Sequence, residues 1–126
     1  MYVTDAETLR TIAPNFSYRE LSCPETNELY IDAEFLRRLQ VLRDIYGKIT
    51  VTSGYRSESF NFKIGGAENS LHIQGKAADL RCNDKQKPKL LRMVHALGFK
   101  GIGIYDKHIH VDLREGFPAT WHGQSQ

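Results

Sequence analysis

Between Asp32 and Tyr46 the apolar residues Phe35, Leu36, Leu39, Leu42 and Ile45 return every three or four positions, the spacing that lines one face of an α-helix. Gly47 follows, where a helix stops easily in a left-handed turn. The pattern predicts a helix over 32–46. A second run, from about Lys87 to Leu97, carries Pro88 in its first turn, an apolar face of Leu90, Leu91, Val94 and Leu97, and Gly98 as its stop. Ser17-Tyr18-Arg19-Glu20 fits a capping box, in which hydroxyl and carboxylate each take a free backbone N–H at a helix start. A short helical turn is expected there.

Strand signals lie between and after these helices, at Ile49–Ser53, Ala77–Leu80, Gly101–Tyr105 and His108–Leu113. The last two predict a hairpin turning near Asp106-Lys107. Four strands with two long helices imply an α+β fold, a small and mainly antiparallel sheet with helices packed on it. No repeat, low-complexity stretch or Pro/Gly-rich linker breaks the chain, so one domain over residues 1–126 is expected, with 123–126 as a loose tail.

Composition narrows the class. Of 126 residues, 40% are hydrophobic and 25% charged, an ordinary soluble balance, and no window reaches the roughly 18 consecutive apolar residues of a membrane span. Seventeen Lys and Arg against fifteen Asp and Glu leave a net charge of +2, too small and too evenly spread to argue for nucleic acid. The basic residues from Lys85 to Arg92 read as the solvated face of a helix. Cys23 and Cys82 have no C-x-x-C spacing and are expected as free, partly buried thiols, with a disulfide left open if the protein works in an oxidising space.

The candidate chemistry sits on the last strand. Side chains alternate faces, so His108, His110 and Asp112 point one way while Ile109, Val111 and Leu113 supply an apolar face that sets the register. A solvated strand is usually filled by Thr, Lys, Glu or Ser, which makes two histidines and an aspartate on one face unusual. Upstream, the run Ser70 to Asp79 offers His72 and Asp79 with Gly75 between them, where the chain can fold back. Joined to the histidine strand, this run supplies the three nitrogen or oxygen ligands that a catalytic zinc needs, with a fourth place for water. Peptide hydrolysis is the natural reaction for such a centre.

Ser53-Gly54-Tyr55-Arg56-Ser57, Asn61, Gly65-Gly66-Ala67, the Ser-x-His-x-x-Gly-x-Ala-x-Asp run from Ser70 to Asp79, and His108-x-His110-Val111-Asp112 resemble the zinc D-Ala-D-Ala carboxypeptidase family. That family is related to small phage endolysins, other murein peptidases and the hedgehog domain. The likeness runs from Asn15 through Arg114. It implies that His72, Asp79 and His110 hold Zn2+, that His108 stands beside the metal to hydrogen-bond substrate or the tetrahedral intermediate, and that Arg56 is the active-site arginine. Many relatives carry a Glu or Asp general base three positions before the last ligand, and Lys107 stands there in this chain. Asp106 is expected to substitute from the hairpin turn, with His108 and Asp112 as weaker candidates and Asp112 also suited to holding a ligand histidine.

The function implied is zinc-dependent hydrolysis of peptide bonds in bacterial peptidoglycan stem peptides, by a D,D-carboxypeptidase or a murein endopeptidase. The alternative, kept open by Lys107, is a zinc-binding module of the same fold without hydrolytic activity. The first seven residues lack a basic start followed by an apolar stretch. A monomer made in the cytoplasm and acting at the cell wall is expected, with release of the phage-lysis type. His95 reads as a packed or half-exposed helix residue and His122 as a surface residue, while Trp121 reads as a cap on the core, with lining of the substrate groove as its alternative.

Overall fold

The computed structural model describes residues 1–123. The chain runs β1 (Tyr2–Val3), α1 (Ala6–Ile12), α2 (Tyr18–Leu21), β2 (Ile31–Asp32), α3 (Ala33–Tyr46), β3 (Val51–Ser53), α4 (Glu58–Lys63), β4 (Ala77–Arg81), α5 (Lys87–Ala96), β5 (Gly101–Ile104), β6 (His108–Asp112) and β7 (Ala119–His122).

The helix α3 forms where its apolar spacing places it. The Asp32 carboxylate accepts the Phe35 N–H at its start, and Phe35, Leu36, Leu39 and Leu42 are buried, whereas Ile45 is exposed. Helix α5 begins with Pro88 in its first turn and buries Leu90 and Val94. At α2 both halves of the capping box are made, between Ser17 and Glu20. Phe35 of α3 meets Phe99, just beyond α5, edge to face. Burying each such large apolar side chain contributes roughly 1.5–3 kcal/mol relative to leaving it in water, so this helical layer anchors the sheet beneath it.

The main sheet has five strands in the order β3-β4-β6-β5-β7. Neighbours are antiparallel except β7, which runs parallel to β5. A separate two-stranded sheet pairs β1 with β2. The main sheet is therefore mixed and larger than the small antiparallel one expected, because residues 119–122 take up the free edge of β5. Ile109 and Val111 of β6, with Leu80 of β4 and Ile102 of β5, face the helices and are buried. That leaves His108, His110 and Asp112 on the opposite face of the same strand.

The expected hairpin joins β5 to β6, its Tyr105 N–H donating to the His108 carbonyl at 3.0 Å. Cys23 and Cys82 are buried free thiols. Of the tail, Gly123 donates its N–H to the Ile104 carbonyl, and residues 124–126 lie outside the described residues. No helix among the described residues is long and apolar enough to cross a membrane.

Candidate metal centre

Strand register brings the first two groups together. Asp79 of β4 sits opposite His110 of β6, so both side chains leave one face at the same height. His72 arrives from the turn before β4, where Gly75 takes a left-handed backbone (φ 70) that a residue with a Cβ adopts at a cost. Among the described residues these three offer one ligand atom each, all within 4.8 Å of one another.

The hydrogen bonds around them set the ring tautomers. His72 Nδ1 lies 2.7 Å from the Gly54 carbonyl oxygen, which can only accept, so Nδ1 carries the proton and Nε2 presents its lone pair. That Nε2 is 3.2 Å from Asp79 Oδ1. His110 gives Nε2–H to Asp112 Oδ2 at 2.7 Å and turns Nδ1 to the same Asp79 oxygen at 3.2 Å. With neutral rings, three acceptors face a single point. That arrangement is unfavourable alone and is answered by a cation among the three atoms, so the donor set fits a metal ion with nitrogen and oxygen ligands.

The electrostatics agree. Burial pushes the His72 imidazole below its ordinary value, more than the neighbouring Asp79 carboxylate raises it. Burial alone would raise Asp79, but the His110 and His72 rings beside it hold the carboxyl far below its usual range. For His110, burial works downward and is outweighed by the Asp112 and Asp79 carboxylates, which lift it above the ordinary imidazole value. Positive charge is thus favoured where the donor atoms converge. Asp112, fully buried, is also held well below the usual carboxylate range, burial being overcome by His110 and Arg114.

Arg56 occupies the far side of Asp79. Its Nη2 donates to Asp79 Oδ2 at 3.3 Å, its Nε to Ser53 Oγ at 3.0 Å and its Nη1 to Asn61 Oδ1 at 3.3 Å. One carboxylate oxygen is thereby held by the guanidinium while the other faces the histidines. Asn61 in turn donates Nδ2–H to the Ala67 carbonyl at 2.8 Å.

Arg56, His72, Asp79 and His110 line a cleft of about 710 Å³ that also includes Ser70, Tyr105, His108, Asp112, Arg114 and Trp121. That volume lies within the ordinary range of ligand clefts. His108 lies in the cleft without joining the three converging donors, and burial pushes its imidazole below the ordinary value. Asp106 is not brought to the cleft. It is exposed in the β5–β6 turn, where its carbonyl accepts from Lys87 Nζ, because a turn does not follow the two-residue alternation that aims His108 and His110. His95 and His122 are exposed.

Trp121 is half-buried on β7 and lines the cleft, its ring 5.3 Å from that of His110, which is the groove alternative rather than the preferred core cap. Arg114, with no place among the expected site residues, also lines the cleft. The only sequence signal for it was its position two residues beyond Asp112 on the same face.

A profile of the peptidase M15 family matches residues 14–112. Over 86 residues the chain is 36% identical to the zinc D-Ala-D-Ala carboxypeptidase of Streptomyces albus G, an alignment covering 63% of this chain and 34% of that protein. Over 83 residues it is 39% identical to the probable peptidoglycan L,D-endopeptidase MepK of Haemophilus influenzae, covering 60% of this chain and 44% of that protein. The chain thus spans less than half the length of either relative.

Proposed function

The chain belongs to the peptidase M15 family, and on that premise we propose that it is a zinc-dependent peptidase acting on the stem peptides of bacterial peptidoglycan. The observation that carries this reading is the convergence of His72 Nε2, Asp79 Oδ1 and His110 Nδ1, each aimed by a partner on its other side. Those three atoms would hold the zinc. When bound, it supplies a Lewis acid for the scissile carbonyl and lowers the pKa of a coordinated water to about 7.

The chain's own groups do the rest. Gly54 and Asp112 fix the two rings, and fixing a ligand histidine through its second nitrogen typically changes metal affinity or activity by roughly 10–100-fold. Arg56 keeps Asp79 from turning and adds positive charge beside the place where the carbonyl oxygen gains negative charge. His108, in the cleft and outside the donor set, is the residue we assign to hydrogen-bonding the reacting groups and accepting a proton. A donor so placed is worth roughly 3 kcal/mol in the transition state.

The named relatives are a carboxypeptidase and an endopeptidase, and both bond choices stay within the proposal. So does action at the cell wall after release of the phage-lysis type. The second reading, zinc binding without hydrolysis, is favoured by one observation: the carboxylate expected to act as base, Asp106, lies exposed outside the cleft lining. Digestion of purified murein, with products identified by mass spectrometry, separates the two. New amine termini released with zinc and not after chelation are expected; zinc bound with no new termini supports the second reading.

A further inference from the structure

Asp112 is 0% exposed, and a carboxylate so placed needs its charge answered by hydrogen bonds. It receives them from His110 Nε2 at 2.7 Å and from Arg114 through the backbone N–H at 3.0 Å, Nε at 3.0 Å and Nη2 at 2.8 Å. The space exists because Gly101 stands opposite in the β5–β6 register, where a Cβ would collide with the carboxylate.

Held this way, the Arg114 guanidinium carbon lies 4.9 Å from the centre of the Trp121 ring, a cation–π contact. Trp121 gets there because β7 runs parallel beside β5 with Trp121 abreast of Gly103, whose missing Cβ would sit 2.8 Å from the indole. The indole N–H donates to the Tyr105 hydroxyl at 3.0 Å. The Tyr105 ring stacks on His108 with centroids 4.4 Å apart and planes 8° from parallel.

His108 and His110 leave the same face of β6, yet two residues along a strand span roughly 6.6 Å, too far for one ring to steady the other. The contacts through Arg114, Trp121 and Tyr105, which line the same cleft, bridge that gap. We propose that Arg114, Trp121 and Tyr105 are positioning residues that set the two cleft histidines relative to each other, His110 through Asp112 and His108 by stacking. The assignment rests on the peptidase reading for His108 but needs only metal binding for His110. Arg114 and Trp121 lie beyond residue 112, where the family match ends, so this support comes from the segment that adds β7.

The experiment pairs two readouts on the full chain: zinc affinity by competition with a chromogenic chelator, and kcat and KM on a murein peptide. Arg114→Ala is expected to weaken zinc roughly tenfold or more, with Arg114→Lys restoring part of it. Tyr105→Leu is expected to leave zinc affinity unchanged and lower kcat roughly tenfold at constant KM, since misplaced reacting groups cost rate rather than binding. Tyr105→Phe, which keeps the stacking but loses the bond from the Trp121 N–H, restores part of the rate and falls as far short as Trp121→Phe does. Trp121→Ala moves both readouts, and Trp121→Phe, which keeps a ring for Arg114 but loses the N–H, moves kcat alone. Folded variants with unchanged zinc affinity and unchanged kcat would overturn the proposal, and Arg114→Lys with Trp121→Phe decide it if the alanine variants do not fold. If the unmodified chain binds zinc and cleaves nothing, the peptidase reading and the His108 half fall together. The Arg114 half is then judged by zinc affinity alone.

Discussion

The two walls of the cleft are built by different physics. On the sheet wall, Asp79 and His110 face each other because β4 and β6 are paired residue by residue, and that ladder, with Leu80, Ile109 and Val111 buried behind it, stands without any ion. The other wall is the segment 54–75, whose one helix is the six-residue α4. It is held by isolated bonds: His72 to the Gly54 carbonyl, Asn61 to the Ala67 carbonyl, and the Arg56 N–H to the His72 carbonyl at 3.2 Å. The walls meet at Asp79, which takes His72 on one oxygen and Arg56 on the other. A metal ion bound there would strengthen the seam, and the loop wall, with no strand ladder of its own, would gain more from it than the sheet wall.

Cutting the seam should have the largest effect. Asp79→Ala removes a donor atom and the anchor of Arg56 together, and hydrolysis of murein peptide is expected to fall by roughly 10²-fold or more, with zinc lost on dialysis. Retained zinc and rate would mean that the walls meet elsewhere.

Chelation comes next. Starting from zinc at about 100 times its dissociation constant, its removal should cost about 2.7 kcal/mol, or roughly 10 °C in melting temperature for a chain of this size. Hydrogen exchange should accelerate in 54–75 and stay slow in β4 and β6. Equal acceleration in both would erase the distinction drawn between them.

Gly66→Ala probes the loop wall alone. The added Cβ would collide with the Asn61 side chain that supports Arg56. A loss of about 1–3 kcal/mol in stability is expected, with a drop in kcat/KM and an unchanged register of β4 against β6 by NMR. Asp106→Asn is the smallest case. Its side chain belongs to neither wall, and a change within the roughly 0.5 kcal/mol typical of surface substitutions is expected for melting, with turnover unaltered.

The same contrast explains what could be read in advance. Helices α3 and α5, the capping box at Ser17 and the four central strands follow from periodicity and local capping, and the two-residue alternation on β6 placed His108, His110 and Asp112 on one face. The pairing of Asp79 with His110 is a long-range register that no local pattern encodes, and the resemblance to a known family supplied it. Strand β7 does not stand out because Ala119-Thr120-Trp121-His122, although it alternates apolar and polar, is only four residues long and buries none of them fully. Its backbone is satisfied by the edge of β5 instead. Helix α1, capped by Asp5 and burying only Leu9, and the short α4 carry too little apolar periodicity to stand out. The expectation for Asp106 rests on its place in the hairpin turn, where the direction of a side chain depends on turn geometry that no local pattern encodes.

The most direct test is a crystal of the zinc-loaded protein measured at the zinc absorption edge. A single anomalous peak is expected about 2.0–2.2 Å from His72 Nε2, Asp79 Oδ1 and His110 Nδ1, with Asp112 still on the other nitrogen of His110. A peak away from these three atoms, or one bound to His110 through Nε2, would contradict the site as described.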